Sequence, residues 1–335
     1  MQIDDEWRRW IAENMLLGST SEQIFATLIE RGFDEESAAL EISQAVNSPY
    51  LRGAMRLVNR FVKREWLLAI YRKLDTLRSE HGVIPRKHKL NREEFFRDYY
   101  CLNRPVIITG MLDDWPALKK WNVDYLQAQY GDRLIEVQTN RNSNSRYEIE
   151  CSDPRHRQTM TVTQVVDKIR KADKSNDIYV TAGNSSLNRR ALNELWSDIT
   201  QLPEYLDGNS PQDGFFWFGP AGTITPLHHD LTNNFMAQVY GRKKITLIPS
   251  YDILRVYNNF HCFSELDIGN VNKEKYPLFS RANTLELTLN PGEILFLPVA
   301  CWHYVEALDN SITMSFTNFL ADNDFHSFYY TYNEV

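Results

Sequence analysis

Six consecutive residues, Thr225-Pro226-Leu227-His228-His229-Asp230, hold the densest grouping of potential metal donors in the chain. Read as a β-strand, they place side chains two apart on one face, so His228 and Asp230 present an imidazole beside a carboxylate while His229 turns away. Such a pair is half of a metal site. A third donor comes much later: Pro291-Gly292 opens an apolar strand, Pro298 closes it, and Cys301-Trp302-His303-Tyr304-Val305 follows. Two imidazoles and one carboxylate on one face of a metal leave other coordination positions open, the donor set of the non-haem Fe(II) facial triad. Each residue also has a plainer reading: His228 and Asp230 as a satisfied polar pair on a strand, His303 as a core histidine beside Trp302. His81, His88, His156, His229, His261 and His326 read as surface or structural, with His229, beside the metal motif, also a candidate for touching substrate.

Strands must position these donors, and from Gly214 onward strands dominate. Segments 215–219, 234–240, 243–248, 284–288, 294–297 and 312–319 are predicted as short strands separated by Gly/Pro turns, which argues for a sandwich or barrel. Upstream the pattern is mixed. A helix over 92–101 precedes a buried strand at 106–109, and Trp115, Trp121, Tyr125 and Tyr130 belong to a second helical stretch and its flanks. Residues 139–160 read as a loop, 162–171 as a helix and 178–181 as a strand.

The first 46 residues read as three short helices. Trp7, Trp10, Ile11 and Met15 form the stripe of the first; Thr20-x-x-Gln23 is a capping box for the second, which Gly32 closes; Asp34 caps the third. After Pro49, apolar residues from Leu51 to Leu77 recur every three or four positions over about seven turns, predicting one long amphipathic helix. It reads as core or interface, with a homodimer through these N-terminal helices as one use. Residues 81–92 read as a polar linker. The domain reading is a bundle at 1–48 resembling the ubiquitin-associated type and suited to partner binding, a helix and linker at 49–82, and a catalytic domain at 83–335.

The net charge of −7 argues against general nucleic-acid binding. It hides an asymmetry: residues 1–50 carry −7, residues 51–92 carry +9 and the remainder −9. The basic stretch reads as a solvated helix face, or as a docking surface for an acidic peptide. No apolar run is long enough to span a bilayer, and the acidic N-terminus lacks the regions of a signal peptide. Cys101, Cys151, Cys262 and Cys301 stand far apart, which together with these features favours a reduced cytoplasm.

Several motifs run in one order over roughly residues 90–320: Asn103-Arg104-Pro105-Val106-Ile107-Ile108-Thr109-Gly110, Asp114-Trp115-Pro116-Ala117, the 225–230 hexapeptide, Asn234 through Lys244, and 291–305. In these the chain resembles the cupin-type JmjC family of Fe(II)/2-oxoglutarate oxygenases, its protein-hydroxylase branch more than its histone demethylases. The resemblance implies a mainly β catalytic domain, a double-stranded β-helix with flanking helices, beside the all-α N-terminal region. It implies Fe(II) on His228, Asp230 and His303, with 2-oxoglutarate and O2 as co-substrates and succinate and CO2 as co-products. Lys243 matches the cation that holds the far carboxylate of 2-oxoglutarate, though Arg242-Lys243-Lys244 also fits a solvated turn. Thr225 and Tyr179 match hydroxyl donors to that carboxylate, and Asn234 an amide near the metal. The loop at 139–160 is then a candidate substrate lid. One departure stands out: where the asparaginyl hydroxylases of the family carry Asn-Phe-Trp on the last core strand, this chain has Ser315-Phe316-Thr317. Substrate contacts are open, with His229 and Ser315 as candidates. The implied activity is hydroxylation of an amino-acid side chain in a peptide or protein, or of a free amino acid. N-methyl demethylation by the same chemistry and a non-catalytic metal-binding cupin are the alternatives.

Overall fold

The computed structural model describes residues 3–143, 156–181, 186–209, 214–258 and 260–330. The chain divides into two compact units, 1–75 and 76–335.

The first unit begins with three capped helices: α1 (Asp5–Leu16), α2 (Ser21–Glu30) and α3 (Glu35–Asn47). Each starts where a side chain satisfies an otherwise orphaned amide. Asp4 accepts from the Trp7 amide, Thr20 and Gln23 form a reciprocal capping box, and Asp34 accepts from Glu36 and Ser37. The periodic apolar residues Ile11, Met15, Ile24, Leu28, Phe33, Ala38 and Ile42 meet in one buried cluster, with Trp7 edge-on to Phe33 at 4.9 Å. α4 (Pro49–Thr76) follows as one uninterrupted helix with no buried residue, and Trp66, Phe61 and Tyr71 along it are more than half exposed.

In the second unit the chain runs through β1 (Arg86–His88), α5 (Arg92–Phe95), β2 (Val106–Thr109), α6 (Ala117–Lys120), α7 (Val123–Tyr130), β3 (Leu134–Thr139), β4 (Arg157–Thr161), α8 (Val162–Lys171), β5 (Ile178–Tyr179) and α9 (Ser186–Ala191). It then forms β6 (Phe215–Gly219), β7 (Ile224–His229), β8 (Asn234–Tyr240), β9 (Lys243–Ile248), β10 (Leu285–Leu289), β11 (Glu293–Leu297), β12 (Trp302–Ala307) and β13 (Ser311–Phe316). Three sheets result, in the orders β1-β2-β11-β8-β13-β6, β10-β9-β12-β7 and β4-β3-β5. All pairings are antiparallel except β1 with β2.

Strand periodicity explains how the two larger sheets make one core. Ile107, Met236, Leu295 and Leu297 of the first cluster with Ile245, Leu247, Leu287, Leu289 and Val305 of the second. The alternate residues of the six-stranded sheet, among them Ile108, Phe235, Ala237 and Phe296, pack with the helices in a separate cluster. Those of the four-stranded sheet, Leu227, Ile248, Trp302 and Tyr304, pack under the 256–282 segment. Each buried side chain of this kind contributes about 1.5–3 kcal/mol, so both faces of both sheets are anchored. This is the double-stranded β-helix with flanking helices that the motifs imply.

Three readings need correction. The polar linker contains β1, whose Arg86-Lys87-His88 is an edge strand, and edges favour charge over the alternation that marks strands. The loop at 139–160 is bordered by β3, begins with a 3-10 turn at Arg141–Ser143 and ends in β4; residues 144–155, the body of the candidate lid, lie outside the described residues. The reading also passed over β12, where Trp302 to Val305 is buried on both faces and shows no alternation.

Candidate metal centre

β7 and β12 pair antiparallel with His228 directly opposite His303 and His229 opposite Trp302. This register puts the two imidazoles on the inner face, ring centroids 4.2 Å apart. β7 ends at His229, so Asp230 stands just past the strand rather than on it, yet its carboxylate still lies 3.7 Å from His228 Nε2. Among the described residues, His228, Asp230 and His303 form a group whose potential ligand atoms all lie within 4.8 Å of one another.

Hydrogen bonds settle how each ligand faces. His228 Nδ1 lies 2.8 Å from the Pro226 carbonyl and His303 Nδ1 3.0 Å from the Cys301 carbonyl. A carbonyl can only accept, so both rings carry their proton on Nδ1 and leave the Nε2 lone pair free for a metal. Asn234, the first residue of β8, donates from Nδ2 to Asp230 at 3.0 Å. Burial pushes the His303 imidazolium down to about 4, helped by neighbouring His228. Lost solvation works against the Asp230 carboxylate, but the imidazoles and the Asn234 amide outweigh it and hold that carboxyl below its usual range. At neutral pH the His303 imidazole is therefore neutral and Asp230 a carboxylate, the protonation states a divalent ion requires of these two donors.

A second cluster lies farther along the same inner face. On β9, Leu247 pairs with His303 and Lys243 with Ala307. Lys243 is thus four residues from the metal row, on the order of 13 Å of extended strand. It is 2% exposed, and its ammonium donates to the Tyr179 hydroxyl at 3.4 Å. Burial pushes its pKa down to about 7. Among the described residues no carboxylate lies within ion-pairing distance of it, so the solvated-turn reading does not hold. Thr225 reaches this face through a β-bulge: the pairing shifts between His303 and Val305, leaving Thr225 opposite Val305 while Ile224 packs on the outer cluster.

The remaining expected residues divide. Tyr179 joins Lys243, and Asn234 joins Asp230 with its Oδ1 buried and without a hydrogen-bond partner. Ser315 faces the interior, where its hydroxyl accepts from the Trp217 indole at 2.8 Å. His229 does not join them. It points outward, edge-on to Trp302 at 4.7 Å, with Nδ1 bonded to the Asp230 carbonyl, so it packs the outer face and offers nothing to a substrate inside.

Sequence reasoning missed Trp217, which lies 5.7 Å from the Tyr179 ring and stands in the interior although Trp is absent from 315–317. Alternation along Phe215-Phe216-Trp217-Phe218 was the signal available. It also missed Arg141, 1% exposed, which nothing local in Thr139-Asn140-Arg141-Asn142 distinguishes from a surface loop residue.

These residues fit the implied groups. Three donors with free lone pairs suit one ferrous ion; a buried ammonium beside a hydroxyl suits a carboxylate; the buried Asn234 Oδ1, with no hydrogen-bond partner, is an acceptor left beside the metal group.

Comparison with known proteins agrees. Residues 92–322 match the cupin-like domain family. Lysine-specific demethylase 8 of Xenopus tropicalis is 37% identical over 244 residues, covering 70% of this chain and 52% of that protein. Lysine-specific demethylase JMJ30 of Arabidopsis thaliana is 35% identical over 240 residues, covering 70% and 54%. The tRNA wybutosine-synthesizing protein 5 of Gallus gallus is 28% identical over 238 residues, covering 66% and 72%. The chain spans about half the length of the two demethylases it matches. A facing pair of sheets, a His-Asp-His group on their inner face and this family match together make the chain a member of the cupin-like JmjC family, whose oxygenases work with Fe(II), 2-oxoglutarate and O2.

Proposed function

We propose that this chain hydroxylates an unactivated C–H bond of an amino-acid side chain in a peptide or protein, using Fe(II), 2-oxoglutarate and O2. The convergence of His228, Asp230 and His303 on one face, with buried Lys243 farther along it, carries the reading. The bound iron and co-substrate supply the oxidising chemistry, with succinate and CO2 as co-products. The protein's own contribution is positioning. Backbone carbonyls at Pro226 and Cys301 fix the two imidazole tautomers, and Asn234 orients Asp230. Lys243 and Tyr179, with Thr225 on β7 across β12 from Lys243, receive the far carboxylate of the co-substrate. Met236, Ile245, Leu247, Leu295 and Val305 line the interior and exclude water, which strengthens the Lys–carboxylate attraction.

Demethylation is the second reading, favoured by the names of two relatives. Hydroxylating an N-methyl carbon gives a product that releases formaldehyde, so the same site serves either outcome. A tRNA-like substrate, which the third relative's name raises, sits poorly with −9 over residues 93–335. The bundle at 1–48 is read as a partner-binding module, the N-terminal helices as one route to a homodimer, and the protein as cytoplasmic. Among the described residues no helix is long and apolar enough to cross a membrane.

The test is conversion of 2-oxoglutarate to succinate with Fe(II) and ascorbate, run against peptides with and without N-methyl groups. One oxygen atom added to an unmethylated peptide supports the hydroxylase reading. Formaldehyde release from methylated peptides alone would replace it with the second. Full turnover in both His228→Ala and Asp230→Ala would end both.

A further inference from the structure

The Arg141 guanidinium is one of the most buried charges in the catalytic unit, and its bonds reach three segments at once. It donates to the Gln138 side chain on β3, to Asn176 Oδ1 at 3.2 Å ahead of β5, and to the Ile224 carbonyl at the start of β7. Its Cζ lies 5.2 Å from the centre of the Tyr179 ring, over which the Lys243 ammonium also stands, at 5.9 Å. The same Asn176 oxygen accepts from the Ile224 amide at 2.8 Å, so both backbone polar groups of Ile224 are held. Ile224 immediately precedes Thr225. One planar fork therefore fixes the ring bearing one hydroxyl and the backbone leading to the other. Lysine cannot copy this, because an ammonium offers a point charge rather than a fork that both stacks and donates in fixed directions.

We infer that Arg141 is a positioning residue for the co-substrate pocket, holding Tyr179 and the Thr225 end of β7 where their hydroxyls meet the carboxylate that Lys243 binds. The inference rests on the reading of that pocket given above. Gly219 on β6 supports it: a Cβ there would lie 2.8 Å from the Tyr179 ring, so the ring is closely bounded by β6 as well as by Arg141.

The test is calorimetric binding of 2-oxoglutarate to the full chain loaded with Mn2+, where no turnover occurs, for wild type, Arg141→Lys, Tyr179→Phe, the double variant and Lys243→Met. Arg141→Lys weakens 2-oxoglutarate about tenfold while Mn2+ affinity is unchanged, because the metal row is untouched. Tyr179→Phe loses a comparable factor, and the double variant loses clearly less than the product of the two, since one acts through the other. An Arg141→Lys chain that binds as wild type, or losses that simply multiply, overturns the inference. Wild type failing to bind 2-oxoglutarate, or Lys243→Met binding it undiminished, overturns the pocket reading and the inference with it. Should Arg141→Lys not fold, Gln138→Ala keeps the guanidinium but removes one acceptor, and a loss of about threefold is expected. Wild-type binding there overturns the inference equally.

Discussion

Lys243 is the residue whose ionisation most directly reports its work. Its ammonium loses its proton near pH 7, because burial disfavours the charge. A carboxylate beside it restores the charge, so binding takes up a proton whenever the pH exceeds about 7. Affinity for 2-oxoglutarate is then level below that pH and falls by about tenfold per unit above it. Calorimetry in buffers of different ionisation enthalpy measures the proton directly, and no uptake at pH 8 contradicts the assignment. At the metal the expected losses are graded. His228→Ala, Asp230→Ala and His303→Ala each abolish stoichiometric metal binding, whereas Asn234→Ala, which only frees Asp230 to turn, weakens it about 10- to 100-fold in a metal titration. The donors themselves were legible from side-chain type and spacing. His229 was legible as turning away from His228 and as structural, but not that Trp302 is what it packs on.

The tight turn that carries the chain from β8 in one sheet to β9 in the other decides where Lys243 begins its strand. Gly241 sits there with φ +67, and an added Cβ would lie 2.1 Å from the Asn310 carbonyl oxygen. Around it Gln238 donates to the Tyr240 and Gly241 carbonyls at 2.8 and 2.7 Å and accepts from Thr313, while Arg242 forks onto Asp309. Gly241→Ala therefore meets both backbone strain and a clash with main chain. It is expected to lower stability by about 2–3 kcal/mol in denaturant unfolding and to weaken 2-oxoglutarate more than metal. Unchanged stability would show that the turn relaxes freely. Helices here were readable because caps and periodicity are local, and Thr20, Asp34 and the 162–171 segment show it. Strands were readable where they alternate or run apolar between turns. β1 and β4 were missed because polar edge strands owe their place to the neighbour they pair with, which no window of the chain reveals.

Across the whole molecule, charge and chemistry are segregated. The metal row, the Lys243 cluster and their described hydrogen-bond partners all lie within 76–335. A chain of residues 76–335 is accordingly expected to bind Mn2+ and 2-oxoglutarate as tightly as the full chain; a loss of either in the shortened chain would place part of the site in the first unit. That His303 meets His228, 75 residues earlier, on one face was strengthened by the family's motif order, since spacing alone does not fix which strands become neighbours. Arg141 lay beyond reach for the same reason: its partners stand on β3, ahead of β5 and on β7. The most direct measurement is anomalous diffraction at the iron edge from crystals grown anaerobically with Fe(II) and 2-oxoglutarate. One peak is expected, bound by His228 Nε2, Asp230 and His303 Nε2, with the far carboxylate of the co-substrate against the Lys243 ammonium. Iron elsewhere, or a dicarboxylate that leaves Lys243 without a partner, would contradict the account.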